Sequence, residues 1–413
     1  MLKDFLERLA ADESARANPL FIHLSPFTAW LMENSYADST IRSKLWLLAS
    51  FGQWLGRNGL AANDLNEPIV ESFITEKLRT NRVHRGNRET LVQFLDHLRK
   101  CSIVPGVTPA NDASPLAIIL NRYERHLRSD RGLVTATVIN YLPFVRKFLV
   151  ERFGRGPLPL GEVRSTDISS FVLSHARTMS CRRAQLMTTA FRSFFRYLLQ
   201  IGELETDLAA SVPVVADWRL SSIPKYLAPQ EVDQVLRSCD RQSSTGRRDY
   251  TILLLLSRLG LRAGEIVTLQ LSDVDWRAGE ILVRGKGLLH DRMPLPVDVG
   301  EALSSYLRVD RPNCKTRRIF VCAKAPRSGF AGSSTVTTIV RRSIDRAGLH
   351  PPFKGAHVLR HSLATTMLRS GASMGEIGEI LRHRAPSTTE IYAKLDFEGL
   401  RSLAQVWPSG GAQ

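Results

Sequence analysis

The chain has 413 residues, of which 43% are hydrophobic, and its 56 Lys and Arg exceed its 40 Asp and Glu to give a formal net charge of +16. This length and apolar content exclude a disordered chain and suffice for two or three domains with separate cores. The longest apolar run, residues 251–257, is far shorter than the roughly 18 residues of a membrane span, and the N-terminus lacks a signal-peptide core. We therefore expect a cytoplasmic protein without membrane contact. The positive charge predicts a polyanionic partner, although surplus arginine also serves solubility alone.

The cysteines and acidic residues predict chemistry without a cofactor. Five cysteines form neither a CxxC pair nor a Cys/His cluster with metal-ligand spacing, so we expect reduced thiols and no metal site. No Gly-x-x-x-x-Gly-Lys-Ser/Thr loop indicates a bound nucleotide, and no acidic cluster indicates a magnesium-dependent transposase.

The N-terminal half contains two stretches that follow one helical plan. Apolar residues recur at helical spacing in both stretches, in the same order, at offsets of 97, 98 and 100 residues. The matched positions are Ile41, Leu45, Leu48 and Phe51 with Val138, Leu142, Val145 and Phe148; Val70 and Phe73 with Ile168 and Phe171; and Leu91, Phe94, Leu95 and Leu98 with Phe191, Phe194, Phe195 and Leu198. This pattern favours duplication of one small helical domain, and chance similarity between amphipathic helices is the alternative.

Two linkers divide the chain. Residues 104–115 combine Pro, Gly, Asn and Ser, and residues 211–229 contain three prolines that forbid a continuous helix. The predicted domains are residues 1–103, 114–208 and 225–413. The last of these begins with helices, continues with short strands separated by turn-rich segments, and returns to helix from about residue 334.

The last predicted domain contains motifs of cationic and titratable side chains. Arg262 follows a glycine turn and precedes Glu265 by three residues, and Lys286 lies between two glycines. His357 and Arg360 are one helical turn apart and therefore share a face. Each motif alone has an ordinary explanation, as an ion pair, a turn or a capped helix start.

A fourth motif follows near the end of the domain. His383 precedes Tyr392 by nine residues, and Ser387 with Glu390 forms a Ser-x-x-Glu pattern that predicts a capping box. We therefore expect Tyr392 early in a short helix presented by a loop. It is the set of four motifs, in this order, that is improbable by chance.

The order Arg, Lys, His-x-x-Arg, His and Tyr resembles the tyrosine recombinase family, also called phage integrases or Xer-like recombinases. The resemblance is carried by "LGLRAGEIVTLQLSDVDW", by "RGKG" ahead of "RMPLP", by "HVLRHSLATTMLRSGAS" and by "STTEIYAKL", and covers about residues 225–395. Residues 114–208 resemble the family's core-binding, SAM-like helical domain, whereas residues 1–103 have no counterpart in minimal members. The resemblance implies a mainly α fold with two N-terminal helical-bundle DNA-binding domains, followed by a mixed α+β catalytic domain with a small antiparallel sheet.

The resemblance assigns the nucleophile and the group that protonates the leaving oxygen. Tyr392 attacks and becomes joined to the DNA 3′ phosphate, and Lys286 protonates the 5′ oxygen. A phenol with a pKa near about 10 is a weak nucleophile at neutral pH, so it needs cationic surroundings that favour phenolate.

The remaining four residues would serve the phosphate and the proton. Guanidinium groups bind phosphate bidentately and stay charged, which suits Arg262 and Arg360. His383 would donate to the same phosphate, and His357 would accept the phenolic proton. His361, directly after the arginine, we expect to pack or to cap the helix.

The loop before the tyrosine departs from the family. Where members commonly have Leu-Gly-His-Ser, this chain has Leu381, Arg382, His383 and Arg384. The two arginines either add contacts to the DNA backbone or change the loop.

The resemblance predicts double-stranded DNA as partner and a homo-tetramer on two synapsed sites, with sister recombinases as further candidates. The expected activity is site-specific recombination through a 3′-phosphotyrosine, in integration, excision or transposition of a mobile element. The alternatives are a catalytically inactive DNA-binding accessory protein and a type IB topoisomerase-like nicking and closing enzyme.

Overall fold

The computed structural model describes residues 18–80, 85–106, 114–154, 156–216, 224–285, 290–395 and 401. The chain forms two compact units, one of residues 1–105 with 222–413 and one of residues 106–221. The first unit contains separate apolar cores, one within residues 20–104 and others within residues 227–395.

The N-terminal part of the first unit is a bundle of amphipathic helices. These are α1 (Phe21–Glu33), α2 (Asp38–Arg57), α3 (Glu67–Thr80) and α4 (Arg85–Lys100), with a 3₁₀ turn at Ala62–Asp64. The predicted apolar positions of α2, α3 and α4 are buried in one core, where Phe51 contacts Phe73 at 4.8 Å between ring centroids.

The second unit repeats this order of elements. Its helices are α5 (Pro115–Arg125), α6 (Thr135–Phe153), α7 (Ser165–Ala176) and α8 (Cys181–Gln200), with a π turn at His126–Asp130 and a 3₁₀ turn at Leu160–Glu162. Its core contains the matched positions of α6, α7 and α8, of which Leu142 is only partly buried.

Packing inside the two bundles corresponds residue by residue. Phe27 of α1 meets Phe94 of α4 edge to face at 5.0 Å and 75°, and Tyr123 of α5 meets Phe194 of α8 at 5.0 Å and 70°. The two pairs are offset by 96 and 100 residues, close to the offsets of the sequence repeat. This extends the repeat to a first helix that the sequence comparison did not include.

The remainder of the first unit packs helices around a small sheet. Its helices are α9 (Pro229–Arg237), α10 (Ser244–Arg258), α11 (Ala263–Thr268), α12 (Val297–Ser305), α13 (Ser333–Arg346), α14 (His357–Arg369) and α15 (Met374–Ile380). Strands β1 (Val274–Asp275), β2 (Glu280–Arg284) and β3 (His290–Pro294) form an antiparallel sheet in the order β1-β2-β3. Ile281 pairs with Val274 on one side and with Met293 on the other, and all three side chains are buried.

The expected fold class, mainly α with a small antiparallel sheet, is confirmed. Within the described ranges, no helix is both long enough and apolar enough to cross a membrane.

Matched core substitutions test whether the two bundles are separate packing units. Phe94→Ala and Phe194→Ala each remove a buried ring, at a cost of about 3–5 kcal/mol. We expect Phe94→Ala to accelerate amide hydrogen exchange in residues 18–105 and Phe194→Ala to do so in residues 114–216, as measured by mass spectrometry of peptides. Faster exchange in both bundles from either substitution would contradict separate cores.

Candidate active site

Helix α14 carries the central residues of the site on its first two turns. His357 begins the helix and is exposed, whereas Arg360 is 4% exposed. Leu359 enters the main core of this region, and Leu363 and Met367 pack on a smaller cluster around Tyr392, so this face of the helix is apolar.

The Arg360 side chain joins two distant turns of the chain. One Nη donates to the backbone carbonyl of Gly260 and the other to that of Leu381. Gly260 has φ +59°, and a Cβ there would lie 2.7 Å from Leu381 Cδ2, so this turn requires glycine. Burial, followed by the charges of Arg262 and Arg382, lowers the pKa of Arg360 to about 10, so it remains charged at neutral pH.

Glu265 is a buried carboxylate shared by two arginines. It accepts from Arg262 Nη1 at 2.7 Å and from the Arg262 backbone N–H at 2.8 Å, at the start of α11. Arg382 Nη2 donates at 2.9 Å to Oε2, the oxygen that also accepts the Arg262 backbone N–H, and both side chains of that ion pair are less than 10% exposed. Burial alone would raise the pKa of Glu265, but the charge of Arg382 and the bonds from Arg262 hold it below its usual range.

Arg382 occupies a left-handed backbone conformation with φ 54°. This is the position at which the family commonly has glycine, and it explains why glycine is common there. The carbonyl of Arg382 accepts from Arg262 Nη2 at 3.3 Å. The sequence left two interpretations of this loop, added contacts to the DNA backbone or a changed loop. The Arg382 side chain points inward and pairs with Glu265, so at this residue it stabilises the protein.

His383 follows directly and is held from both sides. Its backbone N–H donates to the Gly378 carbonyl at 2.8 Å, and its Nδ1 lies 2.9 Å from the Thr389 hydroxyl. Burial, followed by the charges of Arg360 and Arg262, lowers the pKa of His383 to about 4. The imidazole is therefore neutral at pH 7.

Tyr392 lies in the second of two short 3₁₀ helices, Pro386–Thr388 and Glu390–Leu395. A short helix was expected here, and Ser387, the predicted capping residue, lies within the first of these two turns. The Tyr392 side chain is 1% exposed, and burial raises its pKa to about 12. Its hydroxyl lies 2.8 Å from Nδ1 of His361.

The structure thus brings Arg262, Arg360 and His383 together, because both arginines donate to backbone carbonyls of residues 381 and 382, directly before His383. Tyr392 packs against α14, the helix that carries Arg360. His357 lies at the exposed start of that helix. Lys286 lies outside the described residues, between β2 and β3.

Sequence reasoning missed two residues of this site. His361 contacts the tyrosine hydroxyl although we expected it to pack or cap, and Arg382 completes the environment of Glu265. Only part of the signal was available: His361 follows His357 by four residues and therefore lies on the same helix face, and Arg382 replaces a glycine. Neither pattern names the partner on another segment. Among the described residues, no group of three or more His, Cys, Asp or Glu could hold a metal ion.

Two substitutions of Arg382 distinguish the contribution of its ion pair to stability from the contribution of its backbone conformation. Arg382→Ala leaves Glu265 with one buried partner fewer and keeps a Cβ at positive φ, so we expect the free energy of unfolding to fall by about 3 kcal/mol. Arg382→Gly loses the same ion pair but suits the conformation, so it should be about 1 kcal/mol more stable than the alanine variant. Hydrogen exchange of peptides from residues 225–395 in increasing urea measures both; equal stabilities would show that the backbone carries no strain.

Comparisons with known proteins identify the family of the chain. Residues 225–398 match the phage integrase family. The protein y4rA of Sinorhizobium fredii, which carries an integrase/recombinase name, is 44% identical over 96% of each chain. Tyrosine recombinase XerD of Mycobacterium tuberculosis is 31% identical over 71% of this chain and 96% of its own length.

A solved structure shares the fold. XerH site-specific recombinase, in a post-cleavage complex with its palindromic difH substrate, matches with a TM-score of 0.55 and 19% identity over 82% of this chain and 94% of its own. The match to y4rA covers almost the whole chain, including the N-terminal bundle that minimal members lack. The chain therefore belongs to the phage integrase family and is a site-specific recombinase of the tyrosine type.

Proposed function

We propose that this recombinase cuts and rejoins specific sites in double-stranded DNA through a covalent 3′-phosphotyrosine at Tyr392. The observation that carries the proposal is the Arg360 guanidinium, held by the carbonyls of Gly260 and Leu381. These two turns lead directly into Arg262 and His383, so one buried contact sets the positions of three groups suited to a phosphate.

The cationic groups provide the electrostatic part of the reaction. Nucleophilic attack on a phosphodiester builds negative charge on the nonbridging oxygens, and fixed guanidinium groups stabilise that charge without reorganisation. Arg262 and Arg360 supply these guanidinium groups. His383 donates a further hydrogen bond from Nε2 when the Thr389 hydroxyl donates to its Nδ1. Arg262 and Arg382 share the single carboxylate of Glu265, and the nearby Arg360 adds a third positive charge, which leaves net positive charge for an anion.

The proton-transfer and leaving-group roles follow the family motif. Lys286, on the segment between β2 and β3, protonates the 5′ oxygen as it leaves. His357, at the exposed start of α14, accepts the phenolic proton. Tyr392 is 1% exposed, so a DNA phosphate reaches its hydroxyl only after the 3₁₀ segment shifts.

The charge distribution supports DNA as the partner. Residues 222–413 contain 28 Lys and Arg against 18 Asp and Glu, and residues 106–221 contain 15 against 10. Phosphate contacts from such surfaces release counterions, so binding should weaken steeply with salt. Exchange between two duplexes breaks four strands, each on its own tyrosine, which requires four protomers, so we assign a homo-tetramer on two synapsed sites, with sister recombinases as further partners.

The domain assignment is part of the proposal. The separate cores support three domains at residues 1–103, 114–208 and 225–413, the first two being copies of one helical bundle. We assign DNA contact to both copies. The first copy is close to neutral, since residues 1–105 contain 13 Lys and Arg against 12 Asp and Glu, so its share of the salt-dependent binding should be the smaller.

The biological task we assign is integration, excision or transposition of a mobile element. An integrase/recombinase name on the relative y4rA, which matches along almost the whole chain, supports this assignment. An inactive accessory protein is disfavoured because the described catalytic positions are filled and assembled. A type IB-like nicking and closing enzyme would use the same residues on a single duplex.

Capture of a covalent adduct tests the proposal. Nicked suicide duplexes from the DNA flanking the gene should yield a denaturation-resistant protein–DNA adduct with the wild type and none with Tyr392→Phe, because the phenylalanine lacks the attacking oxygen. Arg360→Lys retains a charge but loses the forked donors, so we expect adduct formation to slow by about 100-fold or more.

Binding measured on the same duplexes provides the control. Tyr392→Phe should bind as tightly as the wild type. Tight binding by the wild type without an adduct on any duplex would favour the accessory protein, and an adduct formed without exchange between two duplexes would favour the nicking and closing enzyme.

A further inference from the structure

We propose that a pocket at the N-terminal end of α10 binds a phosphate-type oxyanion, at a site separate from the active site. The pocket measures about 150 Å³ and lies between the first turns of α10, the π turn at Tyr306–Asp310 and residues 312–327. A water molecule takes up about 30 Å³ in the liquid and drug-sized ligands need about 300–1,000 Å³, so the pocket suits a group of a few heavy atoms. The inference goes beyond the proposed function and does not rest on it.

Two residues that line the pocket have buried polar atoms without hydrogen-bond partners. Among the described residues, five buried side-chain nitrogen or oxygen atoms have no such partner, and two of these five are Tyr306 Oη and Arg327 Nε. The Tyr306 side chain is 1% exposed. A buried polar group without a partner is unfavourable and calls for a ligand, an ion or a water molecule. Their occurrence at one pocket indicates a ligand that serves both.

The surroundings of the Tyr306 hydroxyl favour an anion. Burial raises the pKa of Tyr306 to about 12, whereas the Val321 N–H and the charges of Arg248 and Arg311 act in the opposite direction. The groups that act on the phenol oxygen are therefore an N–H and two guanidinium groups, which are all donors. The hydroxyl proton itself has no acceptor in the part of the chain that the structure describes. An oxyanion supplies this acceptor and at the same time accepts from the donors.

The pocket has more positive than negative charge. Asp310 also lines it, but its carboxylate pairs with the Arg247 guanidinium, whose Nη2 donates at 2.6 Å. Arg248 lines the pocket and pairs with Asp249 at 2.8 Å. Arg327 has no ion-pair partner within the described ranges, so its charge is the one left for a ligand.

Helix α10 adds backbone donors. Its first two residues, Ser244 and Thr245, line the pocket, and N–H groups at these positions have no acceptor inside a helix. The next N–H, of Gly246, is already capped by Ser243 Oγ at 3.1 Å. The helix has 15 residues, so its dipole places partial positive charge at this end. Backbone N–H groups, a guanidinium and a hydroxyl around one small pocket are the donors that proteins use for phosphate.

The pocket and the active site lie at opposite ends of α10. The helix ends at Arg258, and Gly260, whose carbonyl accepts from Arg360, follows two residues later. At about 1.5 Å per residue, the helix separates the pocket from this turn by about 20 Å. The oxyanion can come from two sources, free phosphate in solution or a backbone phosphate of bound DNA, which share the same chemistry.

Amide hydrogen exchange of the full chain locates the binding of inorganic phosphate. We expect phosphate to slow exchange in peptides from residues 243–250 and 306–327, and chloride at the same ionic strength to have no such effect. The dependence on phosphate concentration gives the dissociation constant. Because the readout is local, phosphate bound at the active site does not contribute to it.

Two variants test the donors of the pocket. Tyr306→Phe removes only the hydroxyl, and Arg327→Gln removes the charge. Each should weaken phosphate binding at these peptides by about tenfold or more, because each loses a hydrogen bond to a charged ligand. Without phosphate, Tyr306→Phe should be at least as stable as the wild type, since the hydroxyl it removes has no partner there. Arg262→Gln is the matched control, which loses a guanidinium of the active site and should keep the wild-type phosphate affinity of the pocket.

DNA binding by the same variants distinguishes the two sources. If the oxyanion is a DNA phosphate, both variants should bind DNA more weakly, and the slope of log affinity against log salt should fall by about 0.9 in Arg327→Gln. If the oxyanion is free phosphate, DNA affinity and its salt dependence should equal those of the wild type, while the response to phosphate is lost.

Three results would overturn the site. They are protection by chloride equal to that by phosphate, wild-type phosphate affinity in both variants, and absence of phosphate protection together with unchanged DNA binding in both variants. Water alone would then satisfy Tyr306. If Arg327→Gln does not fold, Tyr306→Phe carries the test. The covalent adduct at Tyr392 is measured independently, so failure of the proposed function and failure of this inference are distinguishable.

Discussion

The site depends on one buried guanidinium. Arg360 donates to the carbonyls of Gly260 and Leu381, which end two segments more than a hundred residues apart in sequence. Loss of this side chain would leave two buried carbonyls without these donors, and each unsatisfied group costs about 1–3 kcal/mol. The contact also fixes the geometry of the site, because Arg262 follows shortly after Gly260 in the chain and His383 shortly after Leu381. Stability of the two turns and placement of Arg262 and His383, the groups proposed to bind phosphate, therefore have the same physical origin.

Concentrating arginines in this way carries an electrostatic penalty. Burial, followed by the charges of Arg262 and Arg382, lowers the pKa of Arg360, and burial with the charge of Arg262 lowers the pKa of Arg382. Glu265 offsets only one of the three positive charges. In a partly desolvated site the excess charge is unfavourable until an anion arrives. Binding of a phosphodiester would relieve this repulsion, and the two charges of a phosphorane would relieve it further. A site built with surplus positive charge is therefore better matched to the transition state than to the free protein.

The sequence predicted those features that have a local cause. Helical periodicity placed Phe51, Phe94 and Phe194 in cores, because a period of 3.6 residues assigns one face to the interior. The motif order identified Arg262 and Arg360. The contact between His361 and Tyr392 was not predictable, because helical spacing gives a face but not its partner from another segment. The division of this segment into two 3₁₀ turns was not predictable either, since a pattern of four residues does not register the turn that Pro386 begins.

The polar contacts of the two helical bundles were likewise not predictable from their matched apolar positions. Their cores correspond, but the polar group inside the first does not recur in the second. Lys44 donates to Thr90 at 3.0 Å and Gln93 at 2.8 Å, whereas the matched positions of the second bundle hold Tyr141, Ala190 and Ser193. Conserved packing with altered polar contacts is expected of copies that keep a fold while their surfaces diverge.

The buried tyrosine ties activity to movement of a small, weakly held segment. Tyr392 packs with Ile377, Leu381 and Leu395 in a cluster much smaller than the main core, and its hydroxyl makes one hydrogen bond to His361. Withdrawing an aromatic ring from such a cluster costs about 1.5–3 kcal/mol, and a hydrogen bond adds about 1 kcal/mol. A phosphate held by Arg262 and Arg360 can supply a free energy of this size through charge-assisted bonds. On the proposed function, the attacking tyrosine is thus held back by a barrier that bound DNA can overcome.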